Sequence, residues 1–331
     1  MIRFLILFLI TACLQCNALA DTHFANRPDV KLFIQQMVQQ HHFKKASLIA
    51  LFNTVKTKPA VIKKIKAPLE KEPWNIYQRL FVTEWRIRNG VNFWNHYQTA
   101  LSNTEKKYGV PANIIVATIG IETKYGVHTG KFRTIDALSN IAFSHSKRAP
   151  FFRSELKEFL LLSREQQWDP QKVYGSYAGA IGQPQFMPSS YRRYAVSYHG
   201  NKKADLSHNE LDIIASIANY YKLHGWKTNE PVAIPASIVS HKFQFFLGKN
   251  KDVKIISKSE VSHDGVTPDS DVLKNNPHKI IALPTYLGKE YWFGFHNFDV
   301  IKRYNASDLY AMSVLQLSHY ILTLREKLNE A

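Results

Sequence analysis

The stretch from Pro111 to Gly126 constrains the fold of this chain more than any other. Ile114, Ile115, Val116, Ile119 and Ile121 make it apolar nearly all round at helical spacing, which marks a helix buried in a core rather than one lying on a surface. Pro111 suits a first helical turn, and Gly126 reads as the C-terminal stop, so Glu122 falls in the last turn. That is an unusual place for a carboxylate. The helix C-terminus carries partial negative charge, and apolar neighbours disfavour ionisation further. Both effects raise the pKa of Glu122, as required of a general acid that must hold its proton near neutral pH. A surface glutamate snorkelling beside Lys124 is the competing reading, and this helix alone does not separate the two.

A second segment shifts the balance. The loop Gly175-Ser176-Tyr177-Ala178-Gly179-Ala180-Ile181-Gly182-Gln183-Pro184-Gln185-Phe186-Met187-Pro188-Ser189-Ser190-Tyr191 carries three glycines that let backbone approach a ligand closely. Ser176 and Gln185 offer hydrogen bonds, while Tyr177 and Phe186 offer apolar faces for a sugar ring. No Gly-Lys-Ser/Thr follows, so it is not a phosphate loop. A tight structural turn would have the same composition.

The first 20 residues place the chain in a compartment. Arg3, an apolar run from Phe4 to Ala12 and the small-x-small site Ala18-Leu19-Ala20 read as a secretory signal cut after Ala20. The run is about half the ~20 residues a spanning helix needs. Ile10-Thr11-Ala12-Cys13 also reads as a lipoprotein box, which would instead anchor the chain to the outer membrane through Cys13. Cys13 and Cys16 are the sole cysteines, and their Cys-x-x-Cys spacing lacks the strand-to-helix context of a redox pair. An exported chain without disulfides depends on a large packed core. The 43 Lys+Arg against 26 Asp+Glu give a charge of +17, one less without Arg3. Zinc-finger, RNA-recognition and helix-turn-helix signatures are not evident, so no nucleic-acid partner is expected. An anionic polymer or membrane surface of the cell envelope fits the compartment better.

Periodicity divides the rest. Asp29–Val55 is helical, Lys56–Glu72 is basic and broken by Pro59 and Pro68, and helical spacing returns over Trp74–Tyr108 with an aromatic-rich face. Thr134–Ile141, Phe151–Gln166 and Leu211–Tyr221 continue as helices. After Trp226 the segments Pro231–Val239, Lys242–Leu247, Val253–Ile256, Ile280–Leu283 and Tyr291–Phe298 are short, β-branched or aromatic, as strands of a small lobe. A helix from Ser307 to about Leu328 closes the chain. The fold class expected is mainly α with a small β-rich lobe. The expected organisation is a signal (1–20), an N-terminal helical region packing on the catalytic body (21–108), a catalytic region (109–227), the β-rich lobe (228–300) and a C-terminal helix returning to the α body (301–331).

Ile119-Gly120-Ile121-Glu122-Thr123-Lys124-Tyr125-Gly126, followed 54 residues after the Glu by the Ser176 loop, closely resembles the membrane-bound lytic transglycosylase B family. The likeness extends to Ala218-Asn219-Tyr220-Tyr221 with His224-Gly225-Trp226, and to Ile301-Lys302-Arg303-Tyr304-Asn305. The ordered set is specific, and it covers the chain from about Phe24 onward. The resemblance implies a lysozyme-like α-helical catalytic domain. It also implies cleavage of the MurNAc–GlcNAc β-1,4 bond of peptidoglycan without water, in the periplasm of a Gram-negative bacterium. The family's single acid/base falls on Glu122, and its glycan-contacting residues fall on Ser176, Gln185, Phe186, Tyr220, Tyr304, Asn305 and Tyr310. An arginine pair that faces a substrate carboxylate falls on Lys147 and Arg148, where Lys147 keeps the charge without the guanidinium fork. Glycan strands are the partner, no cofactor is required, and a monomer is expected.

Two departures stand out. The family's usual Gly-Tyr-Gly-Gln is Gly182-Gln183-Pro184-Gln185 here, and Pro184 fixes φ and removes a donor. Where some relatives carry a calcium loop, this chain has Ser197–Asp205 with lysines at positions that want oxygen ligands, so no calcium and no other metal is expected. Ordinary glycosidases use two carboxylates; Asp136, Glu155, Glu158, Glu165 and Asp169 are near in sequence, yet none has a comparably apolar context. A lysozyme-like murein hydrolase on the same scaffold, and a non-catalytic murein-binding scaffold, remain the alternatives.

Overall fold

The computed structural model describes residues 24–66, 72–200, 203–238, 266–268 and 279–331. The signal segment with Cys13 and Cys16, and the strands expected at Lys242–Leu247 and Val253–Ile256, lie outside the described residues. The chain divides into two units, Met1–Lys56 and Thr57–Ala331. In the first, a short 3₁₀ turn at Phe24–Asn26 leads into α1 (Pro28–His41) and α2 (Lys45–Asn53). Helical periodicity runs through both. The break falls at His42, whose left-handed φ of 58° lets its N–H reach the Val38 carbonyl and end α1. Phe33 meets Phe52 edge-on at 5.9 Å, and the Phe24 ring stacks on Phe52 at 6.5 Å.

The second unit begins with α3 (Pro59–Lys66), in the stretch expected to be broken. Pro59 stands at the start of the helix, where its missing N–H costs nothing, so it initiates rather than breaks. The stretch from Trp74 to Tyr108 is three helices: α4 (Trp74–Phe81), α5 (Glu84–His96) and α6 (Gln98–Tyr108). Thr83 starts α5 afresh by accepting the Arg86 N–H on its hydroxyl at 3.2 Å. Then come α7 (Ala112–Thr123), the two-residue strand β1 (Phe132–Arg133), α8 (Thr134–Ala142), α9 (Ala149–Gln166), β2 (Tyr174–Gly175), α10 (Pro188–Tyr194) and α11 (Glu210–Leu223).

The β-rich lobe holds β3 (Ala233–Ile238), β4 (Val266–Pro268), β5 (Lys279–Thr285) and β6 (Gly288–Gly294), paired antiparallel in the order β4-β3-β6-β5. The last expected strand, Tyr291–Phe298, ends early. Phe298 lies in α12 (His296–Tyr304), because the Glu230 carboxylate accepts the His296 N–H and the Asn297 amide is bound to Lys227 and Glu230 backbone, fixing a helix start there. The chain closes with α13 (Asp308–Glu330), capped by Ser307.

At the centre lies α7, in contact with α5, α6, α11 and α13. Every residue from Ile114 to Ile121 is buried. The polar exception, Thr118, is satisfied: its hydroxyl donates to the Ile114 carbonyl at 2.8 Å and pairs with the Tyr221 hydroxyl at 2.9 Å. Pro111 stands one position outside the helix, with ψ of 142°, rather than in its first turn. The aromatic face expected on Trp74–Tyr108 divides, with Trp74 and Tyr77 in the core and Trp85 46% exposed.

Candidate active site

Helix α7 ends abruptly. After Thr123 the backbone takes three successive left-handed residues, Lys124 (φ 52°), Tyr125 (φ 55°) and Gly126 (φ 86°). Lys124 N–H returns to the Gly120 carbonyl at 3.2 Å and Tyr125 N–H to that of Ile119 at 3.4 Å, closing the last turn. Glu122 projects from this turn. The Thr123 hydroxyl accepts the Gly126 N–H at 3.1 Å and donates to the Gln183 carbonyl at 3.1 Å, so the end of α7 is tied directly to the Gly175–Tyr191 loop. Gln183, at the departure from the family pattern, is thus the residue whose backbone sets the loop's register on the helix; its own N–H donates to the Leu206 carbonyl at 2.8 Å.

The loop is stiffened by its own side chains. Ser176 Oγ accepts the N–H groups of Ala178 at 3.3 Å and Ala180 at 3.1 Å. Gln185, left-handed at φ 51°, donates from Nε2 to the carbonyls of Thr129 at 2.9 Å and Gly182 at 2.8 Å. Phe186 is only 2% exposed, its ring 5.5 Å from that of Tyr220 and 5.7 Å from that of Tyr304. Tyr304 donates its hydroxyl to the Pro184 carbonyl at 2.6 Å, and Tyr220 donates to the Arg303 carbonyl at 2.6 Å. Pro184 therefore lends the site an acceptor where it has no N–H to give.

Tyr310, in the first turn of α13, donates its hydroxyl to Glu122 Oε1 at 2.5 Å. Its ring lies nearly parallel to that of Tyr304, with centroids 6.3 Å apart. Burial among these rings raises the Glu122 pKa, the Tyr310 bond opposes the rise, and the result is about 7. Burial and the facing Glu122 charge push the phenols of Tyr304 and Tyr310 well above their ordinary range, so both keep their protons. A carboxyl poised near neutrality can give a proton and take one back in a single turnover. Among the described residues no group of three or more histidine, cysteine, aspartate or glutamate side chains could hold a metal ion.

The other nearby carboxylates are engaged elsewhere. Asp136 faces Arg133 at 3.6 Å, Glu155 holds the Ser189 hydroxyl at 2.6 Å, Glu158 and Glu165 share Arg192, and Asp169 lies 3.8 Å from Lys172. The structure brings Glu122, Phe186, Tyr220, Tyr304 and Tyr310 into one cluster. Ser176, Tyr177 and Gln185 stand on the attached loop, and Asn305 follows Tyr304 directly. Lys147 and Arg148 are exposed at the start of α9, where Arg148 lies 5.1 Å over the Phe152 ring and no described contact joins either to Glu122. Sequence reasoning singled out neither Arg86, buried on α5 with its guanidinium on the Gly120 carbonyl, nor the Tyr125 hydroxyl; a single arginine among aromatic residues gives no periodic signal.

A buried carboxyl held at about 7 at the end of a central helix, walled by tyrosines in a mainly helical body, fits a glycan-cleaving enzyme of the lysozyme-like class. Comparison with known proteins narrows this. The transglycosylase SLT domain family matches residues 25–319. Membrane-bound lytic murein transglycosylase B of Escherichia coli K12 is 38% identical over 312 residues, which is 91% of this chain and 85% of that protein. The crystal structure of soluble lytic transglycosylase SltB1 from Pseudomonas aeruginosa superposes with a TM-score of 0.83 at 42% identity, covering 90% of this chain and 100% of that one. That of SltB3 from the same organism, in complex with NAG-NAM-pentapeptide, gives 0.75 at 26% identity, covering 87% and 77%. The chain belongs to the transglycosylase SLT family and is a lytic murein transglycosylase of lysozyme-like fold.

Proposed function

We propose that Glu122 is the sole acid and base of this enzyme's cleavage of the MurNAc–GlcNAc β-1,4 bond. Protonated Glu122 donates to the glycosidic oxygen, the GlcNAc leaves, and the MurNAc N-acetyl group stabilises C1. The carboxylate then takes the proton of the C6 hydroxyl, whose oxygen closes on C1 as a 1,6-anhydro ring. Glu122 ends protonated, as it began, and no water is consumed. The observation that carries this reading is the 2.5 Å Tyr310–Glu122 bond in a cluster that holds the acid at about 7. Tyr310 orients the carboxyl and supports its charged state between the two steps, while tyrosine rings limit water access. An intramolecular hydroxyl needs no activated water, because a well-oriented tethered nucleophile acts at an effective molarity on the order of 10⁵ M or more.

Ser176, Tyr177, Gln185 and Asn305 line the approach to this cluster and contact the glycan, and exposed Lys147 and Arg148 meet a carboxylate of its peptide. The fit of the chain to a relative named membrane-bound supports a place in the cell envelope. Export by the leader, working as a monomer in the periplasm, and anchoring through Cys13 belong to this proposal. The test is digestion of purified murein in heavy-oxygen water. Products ending in 1,6-anhydroMurNAc, lighter by one water and free of solvent oxygen, are expected. Reducing-end MurNAc carrying the label would make the enzyme a hydrolase, and no cleavage at all would make it a murein-binding scaffold.

A further inference from the structure

Two residues outside the glycan-facing cluster grip the end of the helix that carries Glu122. Arg86 is 5% exposed, and among the described residues no carboxylate pairs with it. Its guanidinium instead donates from Nε to the Gly120 carbonyl at 2.8 Å and from Nη1 to the Leu80 carbonyl at 2.7 Å. These carbonyls belong to the last turns of α7 and α4, so one buried cation faces the partial negative charge of two helix ends. The Phe81 ring lies 5.4 Å from the guanidinium carbon. Burial lowers the Arg86 pKa, yet a guanidinium stays charged in a protein.

Tyr125 completes the grip from the other side. The left-handed turn folds its ring back over α7 and α5, and its hydroxyl donates to the Arg86 carbonyl at 2.7 Å. The fit has no slack. A β carbon on Gly120 would come within 2.5 Å of the Tyr125 hydroxyl, and one on Gly90 within 2.6 Å. Phe93 stacks on the Tyr125 ring at 5.7 Å. A buried cation with no carboxylate partner among the described residues is costly to desolvate, and apolar residues of like volume would serve packing alone better. Its placement at Gly120, two residues before Glu122, fits a task of orientation.

We propose that Arg86 and Tyr125 form a positioning clamp that fixes the last turn of α7 and thereby aims the Glu122 carboxyl at the glycosidic oxygen. Neither touches substrate. The inference rests on Glu122 being the acid, so Glu122→Gln is assayed beside the clamp variants.

The experiment measures kcat and KM on soluble glycan chains, together with thermal unfolding, for Tyr125→Phe, Arg86→Lys and Arg86→Met. Tyr125→Phe loses one hydroxyl and keeps the ring. Its unfolding temperature should stay near that of the wild type, with KM unchanged and kcat down about tenfold to a hundredfold, the range a misplacement of about 1 Å produces. Arg86→Lys keeps a charged donor for one carbonyl and should retain more kcat than Arg86→Met. A purely structural role predicts losses that follow unfolding temperature and no split between kcat and KM. Wild-type kcat in both Tyr125→Phe and Arg86→Lys overturns the clamp, whether or not Arg86→Met folds. Activity in Glu122→Gln would instead overturn the assignment of the acid.

Discussion

Replacing Glu122 by glutamine should abolish turnover and at the same time stabilise the fold, in a way that depends on pH. The carboxyl titrates at about 7 in the folded chain against 4.5 for the free group. Between those values the folded protein holds a proton that the unfolded chain has released. Stability therefore falls as pH rises from about 4.5 to about 7 and then levels off. The full interval corresponds to about 3 kcal/mol at about 1.4 kcal/mol per pH unit. Glu122 as a residue is of intermediate exposure, and screening along its exposed part reduces the figure to about 1–3 kcal/mol. The amide has the same shape, accepts the Tyr310 hydroxyl and carries no charge, so it escapes this cost. At about 2 °C per kcal/mol for a chain of this size, the variant should melt ~2–6 °C above wild type at about pH 8.5. At about pH 4 the two should melt together. Differential scanning calorimetry of both proteins across this range measures the difference directly. An offset that is the same at both pH values, or a wild type that gains stability on the alkaline side, would refute the raised pKa and the reasoning built on it.

Tyr310→Phe removes the donor that favours the charged form of Glu122, so the alkaline limb of the kcat/KM profile should move to higher pH; an unmoved limb would show that the 2.5 Å bond does not tune the acid. Gly120→Ala should be destabilising by about 1–3 kcal/mol through displacement of Tyr125, although alanine is the better helix former by about 1 kcal/mol; denaturant unfolding showing a gain in stability would remove the close fit. Calcium should leave the unfolding temperature unchanged, because Asp212 already accepts the N–H groups of Tyr198 at 2.8 Å and Asp205 at 3.0 Å, one on each oxygen. A saturable rise with added calcium would mean that the Ser197–Asp212 segment binds the ion.

The elements legible in the sequence are those whose partners are local. The apolar run of α7 and the serine before α13 act within a turn of themselves, whereas Pro59, read as a break, starts α3. What escaped reading is what distant residues impose. Phe298 belongs to α12 because Glu230, 66 positions away from His296, satisfies that helix's first free N–H. Phe186 was expected to offer a sugar an apolar face, and by composition it could. Its ring packs against those of Tyr220 and Tyr304, from helices later in the chain, neighbours that its own segment does not reveal. Ser176 and Gln185, which the proposed function places against the glycan, also bind the loop's own backbone and neighbours, which position alone could not reveal.

The same distinction bears on the acid itself. Its raised pKa is foreseeable from the apolar residues around it on α7 and from the charge of the helix end. Yet Ile114 to Ile121 face the core on every side, and none of them walls the carboxyl from across the site. That wall comes from Tyr304 and Tyr310, the latter 188 positions further on, and from the Tyr220–Tyr221 pair on α11, whose phenols also feel the Glu122 charge. A helix end and an apolar run would raise any carboxylate by a similar route. Only the incoming tyrosine hydroxyl brings the value back to about 7, where one group can serve as acid in the first step and as base in the second. The sequence thus carries the direction of the shift in one helix. Its magnitude, on which the proposed two-step chemistry depends, is set by the return of the chain through α12 and α13.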